Sequence, residues 1–491
     1  MVRIRLVPAA GLLAAVVAVA PMPSAVSPAA AAETPSPSPA KQAAVVAVDA
    51  HRGELIELSD TIWEYAETAL REHRSAALLA DYAEAQGFAV ERGVAGLPTG
   101  FVASYGSGRP VIAILGEYDA LPGLSQQPVP EKAPRVEGAP GHGCGHNLFG
   151  AASMGAAVAV KERIAAGELA GTVRFYGTPA EESVGGKLYM VREGLFDDVD
   201  VVLAWHPDSE IRADTESSQA LVDFVVEFRG KAAHAAYDPW NGRSALDGAE
   251  LFLHALNLMR EHVRPTVRMH YVITDGGQVP NVIPERARVW AWMRDSKHES
   301  VDKLLERARE MVAGAAMAAG VEGELRVQSG DYEMLPNFAG ARLLLANLEW
   351  LGPIEYTAGE QEFARAIQRE TGVEEKGLDG SVQPFEEDPG EPDGGSTDVA
   401  DVSWVVPTLH LSVTTAPDDA PWHAWPVVAA GGMSIGHKGM LYAARALAAT
   451  AVDLFERPEL RQAIRAEFDE KTAGTEYRTY LAAGPPPLPT D

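Results

Sequence analysis

Cysteine is all but absent: Cys144 stands alone among 491 residues, which excludes an intramolecular disulfide framework. Basic residues are scarce as well, with 41 Lys and Arg against 69 Asp and Glu and a formal charge of −28. A chain this acidic lacks the clustered cations that a phosphate backbone requires, which argues against nucleic acid as a partner. No phosphate-cradling loop is present either. Gly390, Gly394 and Gly395 precede Ser396 and Thr397 without the lysine that such a loop places before them. No short internal repeat is evident. At the N-terminus, Arg3 and Arg5 precede an apolar, alanine-rich run from Leu6 to about Pro21 and a small-residue stretch ending at Ala32. Its charge and shortness read as a secretory signal peptide over residues 1–32, leaving a secreted chain with no membrane segment after cleavage. Residues 33–44, with Thr34-Pro-Ser-Pro-Ser-Pro39, read as an extended linker, so folding is expected from about residue 45.

The roughly 450 residues that remain are enough for two or more domains with sizeable cores. The lone thiol sits in Gly141-His142-Gly143-Cys144-Gly145-His146-Asn147. Three glycines give this backbone freedom to wrap closely, and thiolate and imidazole suit zinc and similar ions, so the run reads as a metal-binding loop. Four short β-branched runs, Val111–Leu115, Val173–Tyr176, Val199–Ala204 and Val405–Val413, read as buried strands of an α/β sheet. Behind them come Glu117 and Asp119, then Glu181 and Glu182, then His206, and ten residues after the last run His423. Ligands gather at the carboxyl ends of strands in such sheets. Cys144 and His146, in the loop before an expected helix at Gly150–Ala165, reach the same edge. Adjacent carboxylates such as Glu181 and Glu182 suit a division of labour, one binding metal and the other moving protons.

These residues resemble the M20 metallopeptidases and amidohydrolases. The motifs that carry the resemblance are Gly116-Glu-Tyr-Asp-Ala-Leu-Pro122, the Gly-His-Gly-Cys-Gly-His-Asn run, Thr178-Pro-Ala-Glu-Glu182, Gly230-Lys-Ala-Ala-His-Ala-Ala236, Asn281-Val-Ile-Pro284, Ser396-Thr-Asp-Val-Ala-Asp-Val-Ser403 and His437-Lys-Gly-Met440. They cover almost the whole mature chain, and match best the branch that holds aminobenzoyl-glutamate, auxin-conjugate and hippurate-type amidohydrolases. The resemblance implies two divalent ions per subunit, zinc or manganese, held by Cys144, His146, Glu182, His206 and His423, with Glu181 as general base. It gives Asp119 and Asp398 supporting roles and leaves the bridging ligand open. The chain departs from the branch at Asn147, Leu148 and Phe149, where Asp and often His follow the Cys-Gly-His triplet. It also has Glu117-Tyr118-Asp119 where many members bind metal through His-x-Asp.

After about Gln219 the order of expected elements is β-α-β-β-α-β, the ferredoxin-like arrangement. It resembles the inserted lid or dimerisation domain of the same family, over residues 219–335, and divides a catalytic domain of residues 45–218 and 336–460 from a tail of 461–491. By that resemblance His234 reaches the active site of a second copy in a homodimer and steadies the oxyanion. Asn281 and Arg294 are expected to hold a substrate carboxylate, and Tyr118, Trp422 and Trp425 to line an apolar acyl pocket. The expected activity is hydrolysis of the amide bond of an N-acyl or N-aroyl amino acid or a short peptide. A dipeptidase or aminopeptidase of the same family, and a non-catalytic metal-binding protein on the same scaffold, are the alternatives.

Overall fold

The computed structural model describes residues 37–392 and 394–489; the expected signal peptide lies outside them. No described helix is long and apolar enough to cross a membrane. Strands β1 (Ala89–Arg92), β2 (Phe101–Gly106), β3 (Val111–Gly116), β4 (Thr172–Gly177), β5 (Val201–Asp208) and β6 (Arg212–Ala213) form one sheet. The chain then leaves it to build β7 (Ala220–Arg229), β8 (Arg268–Asp275), β9 (Arg286–Asp295) and β10 (Glu322–Asp331), and returns as β11 (Thr408–Thr414). The first sheet has the order β1-β2-β4-β3-β5-β11-β6. Its centre, β4-β3-β5-β11, is parallel, and its flanks are antiparallel. Every residue of β3 is buried, as a strand covered on both faces requires. Each such Val, Ile or Leu side chain contributes about 1.5–3 kcal/mol through burial. Parallel strands end on one edge of the sheet, so the residues that follow β3, β4, β5 and β11 are brought together there.

The inserted segment has the order β10-β7-β9-β8, antiparallel throughout, with helices Ala245–Met259 and His298–Ala319 packed on one face. This is the ferredoxin-like βαββαβ lid that the sequence predicts. Along β9, Ala287, Val289, Ala291 and Met293 are buried in the lid core. The period of two therefore turns Arg286, Arg288, Trp290, Trp292 and Arg294 to the opposite face.

Two expectations about the ends of the chain are corrected. The linker predicted for residues 33–44, and folding from about residue 45, give way to a helix at Pro39–Ala50. Ser38 caps it by accepting a hydrogen bond from Lys41 N, Pro39 occupies its first turn, and Ala40, Ala44, Ala47 and Val48 are buried. Proline is tolerated at a helix start, so Ser38 and Pro39 start a helix rather than continue a spacer. At the other end, helix Pro458–Lys471 straddles the boundary expected at residue 461. Beyond it, Tyr477 and Tyr480 pack on Tyr332 at the base of the lid.

Candidate metal centre and active-site cavity

The helix after the Gly-rich run begins at His146 rather than near Gly150. Gly145, at φ 74°, makes this early start possible, and a Cβ there would lie 2.9 Å from Pro207 Cβ. His146 thus sits rigidly in the first turn. Asn147, where the family pattern has Asp, donates from Nδ2 to Ser59 Oγ at 3.0 Å and so fastens the helix start to its neighbour.

His146 Nδ1 and Asp119 Oδ1 are 2.9 Å apart, and Glu182 N donates to Asp119 Oδ2 at 2.9 Å, so Asp119 supports two of the expected ligands at once. His146 Nε2 faces Glu117 Oε2 at 3.1 Å without hydrogen-bond geometry, and neither atom has another partner. Cys144 Sγ lies 3.3 Å from His206 Nε2, and His423 Nε2 lies 3.6 Å from Glu182 Oε2. Potential ligand atoms lie within 4.8 Å of one another in three sets here: Cys144, His146 and His206; Cys144, Glu182 and His423; and Glu117, His146 and Glu181. Cys144 belongs to two of them. All five expected ligands, with Glu181, are therefore in one place.

This donor set fits a divalent metal. Atoms about 2.0–2.3 Å from a common ion stand roughly 3–3.7 Å from each other, which is the spacing seen. Glu117 Oε2, His146 Nε2 and Glu182 Oε1 are buried with no hydrogen-bond partner, a costly state unless a cation completes it. The electrostatics agree. Burial, then Glu117 and Glu182, push the Glu181 carboxyl well above the ordinary range. Burial, then Asp119 and Glu117, push Glu182 up to about 7 against the opposing pull of His146. Burial opposes ionisation of Asp119 too, but His146 beside it holds it below its ordinary value. Burial presses His206 down to about 4, keeping it neutral with a lone pair to donate.

Two contributors were not legible in the sequence. Lys187, fully buried, donates to Glu117 Oε1 and Asp398 Oδ1 at 2.6 Å each, which gives Asp398 its place in the site. Glu72, also fully buried, accepts from Ala180 N at 2.9 Å and Thr99 Oγ1 at 3.0 Å. Ala180 has φ 63°, strained for a residue with a Cβ, so Glu72 holds the bend that presents Glu181 and Glu182. Burial, then Asp119, pushes Glu72 up from 4.5 to about 8. The folded chain therefore keeps a proton that the unfolded chain loses, and this group's contribution to stability falls as pH rises between those values. Glu72→Gln removes that slope. In chelator-stripped protein, urea unfolding should show the variant gaining on wild type from pH 5 to pH 8, by on the order of a few kcal/mol. A difference independent of pH would reject this account.

A cavity of about 470 Å³ opens above Glu181, between the sheet edge and the lid, with Trp422 and His423 on one side and Trp292 and Arg294 on the other. Arg294 thus reaches the cavity of its own chain. Asn281 does not. It lies instead beside His234, where Ala235 N donates to Asn281 O at 3.0 Å, and neither residue lines this cavity. His234 is exposed, and its Nδ1 accepts from Ala236 N and Tyr237 N at 3.2 Å. The neutral ring therefore carries its proton on Nε2, pointing a donor away from the loop. Of the aromatics expected in an acyl pocket, only Trp422 lines the cavity. Tyr118 is wholly buried in the core with its hydroxyl on Thr99 O, and Trp425 opens the helix Trp425–Gly431.

Residues 217–318 match the peptidase dimerisation domain. The chain is 37% identical over 470 residues to one of the subunits of p-aminobenzoyl-glutamate hydrolase from Escherichia coli (strain K12), covering 90% of this chain and 98% of that one. It is 32% identical to the Xaa-Arg dipeptidase of Mus musculus, over 87% and 92% of the two chains. Among solved structures, a dinuclear metal binding peptidase from the M20 family of Bacillus subtilis shares the fold with a TM-score of 0.56, at 20% identity over 83% of this chain and 99% of that one. By its extent of identity, its inserted dimerisation domain and its buried ligand cluster, the chain belongs to the M20 family and is a metal-dependent amidohydrolase.

Proposed function

We propose that the chain cleaves the amide bond of an N-acyl or N-aroyl amino acid or short peptide, with two divalent ions, zinc or manganese, held by Cys144, His146, Glu182, His206 and His423. The observation that carries this reading is the Glu181 carboxylate, set in the cavity floor within 4.8 Å of other ligand atoms, with Arg294 in the cavity wall. Bound divalent ions supply Lewis-acid polarisation of a carbonyl and acidify water. Glu181 then takes the proton of the attacking water and delivers it to the leaving amine. His234 of a second copy donates from Nε2 to the developing oxyanion, which makes a homodimer the working form. An adjoining cavity of about 260 Å³, with Phe149 and Met334 in its wall, gives the acyl group room.

Arg294 is the natural clamp for a substrate carboxylate, since a charge-assisted bond is worth about 1.5–3 kcal/mol. Methyl esterification removes that charge and spares the scissile amide, so the ester should lose roughly tenfold or more in kcat/KM. Equal efficiency on acid and ester would reject the clamp. A dipeptidase reading has one observation in its favour: Asp223 and Asp331 share the cavity wall with Arg294 and suit a substrate cation. Matched dipeptides with free and acylated amines distinguish the two, because a dipeptidase prefers the free amine.

A further inference from the structure

Glu117 follows β3 directly and is only 1% exposed. Its two oxygens are treated differently. Oε1 accepts from Lys187 Nζ at 2.6 Å, whereas Oε2 is left without a hydrogen bond and stands 3.1 Å from His146 Nε2. Lys187 cannot swing to reach both oxygens, because Asp398 grips it twice. Asp398 Oδ1 accepts from Nζ at 2.6 Å and Asp398 Oδ2 from the Lys187 backbone N–H at 2.8 Å. A lysine recruited only to neutralise Glu117 would not explain why its second, buried oxygen makes no hydrogen bond, since an unmet buried acceptor is costly. Nor does His146 explain it. Its Nδ1 is engaged by Asp119, so Nε2 is the nitrogen left for a metal, and Glu117 Oε2 faces that same point. Two lone-pair donors at this distance are stable neighbours when a cation lies against both.

We propose that Glu117 is a further metal ligand, sharing an ion with His146, and that Lys187, clamped by Asp398, is the positioning residue that ties one Glu117 oxygen and leaves the other for the ion. This rests on His146 being a metal ligand, as read above. The ammonium also offsets part of the negative charge that Glu117, Glu181, Glu182 and Asp398 concentrate here, so the carboxylate binds through one oxygen as a ligand of reduced charge. A divalent ion that accepts mixed nitrogen and oxygen donors, such as Mn²⁺, Co²⁺ or Zn²⁺, suits this pair.

The test is titration of the chelator-stripped full chain with Co²⁺, following the stoichiometry, the affinity by chelator competition and the visible absorption of the bound ion. Glu117→Gln keeps an oxygen for Lys187 and loses the anionic ligand. It should bind one Co²⁺ 10- to 100-fold more weakly, with a changed spectrum for that ion. Lys187→Gln and Asp398→Asn should weaken the same ion and shift the same band by a smaller amount. Should Lys187→Gln fail to fold, Asp398→Asn, which leaves the Lys187–Glu117 pair in place, gives the reading alone. His146→Gln is measured beside them. If it loses an ion while Glu117→Gln binds both within twofold of wild type and with an unchanged spectrum, the proposal is overturned and the reading of the site stands. If neither variant changes binding, both fall. A purely structural ion pair would lower the stability of the stripped protein and leave affinity and spectrum alone, which also overturns the proposal.

Discussion

Glu181→Gln should retain wild-type metal content and lose about two to four orders of magnitude in kcat, the range typical of a lost general base. The substitution is isosteric. An amide oxygen fills the volume of the carboxylate but cannot take the proton of the attacking water. Glu182 keeps its support from Asp119 through its backbone amide, at 2.9 Å, and the bend at Ala180 keeps its anchor on Glu72. The ligand set is thus disturbed little, so the fall should appear in kcat and kcat/KM together, the pattern of an interaction made only in the transition state. Elemental analysis and steady-state kinetics on one preparation check this. Turnover near wild type would sink Glu181 as the base, and loss of metal together with activity would make it a ligand instead.

Much of this site was legible because each central strand is a short β-branched run followed closely by a residue with metal or proton chemistry, and parallel strands bring those residues to one edge. Glu117, Glu181 and Glu182 follow that rule directly, and His206 sits near the end of β5 itself. The ferredoxin-like lid was legible for a similar reason, its alternating strands and helical stretches being well separated. What was not legible depends on partners far away in the chain. Lys187 reads as an ordinary lysine near the start of a helix. Only the fold brings it to Glu117, 70 positions away, and to Asp398, 211 positions away. Glu72 is opaque in the same way, since its partner Ala180 is 108 positions on. Tyr118 misled because it lies between two site residues, yet in the loop after β3 it turns into the core against Phe101. Asn281 and Arg294 were expected to act together because the family resemblance puts polar and basic lid residues on the substrate carboxylate. The structure separates them because Arg294 lies on the open face of β9, whereas Asn281 belongs to the loop beside His234.

His234→Ala should leave metal content and folding intact and slow the reaction by about 2.7–4 kcal/mol, as removal of an oxyanion donor does. Folding should be spared because the imidazole is exposed and bonded only to neighbouring backbone amides within three residues. The catalytic loss should nevertheless be large, because those two amides fix the ring tautomer and leave Nε2 as a directed donor. The residue does not line the cavity of its own chain, so its action requires a second copy. Mixing His234→Ala with Glu181→Gln protein tests this directly. In a hybrid dimer, one active site combines an intact Glu181 from the first chain with an intact His234 from the second, while the other site lacks both. Once the subunits exchange, random pairing makes about half of the dimers hybrids, each with one complete site, so activity should recover to roughly a quarter of wild type. Recovery should track the rate of subunit exchange, measured independently with labelled chains. Mixtures shown to exchange yet remaining as inactive as their parents would place His234 outside the partner's chemistry. Wild-type turnover in His234→Ala alone would remove it from the reaction altogether.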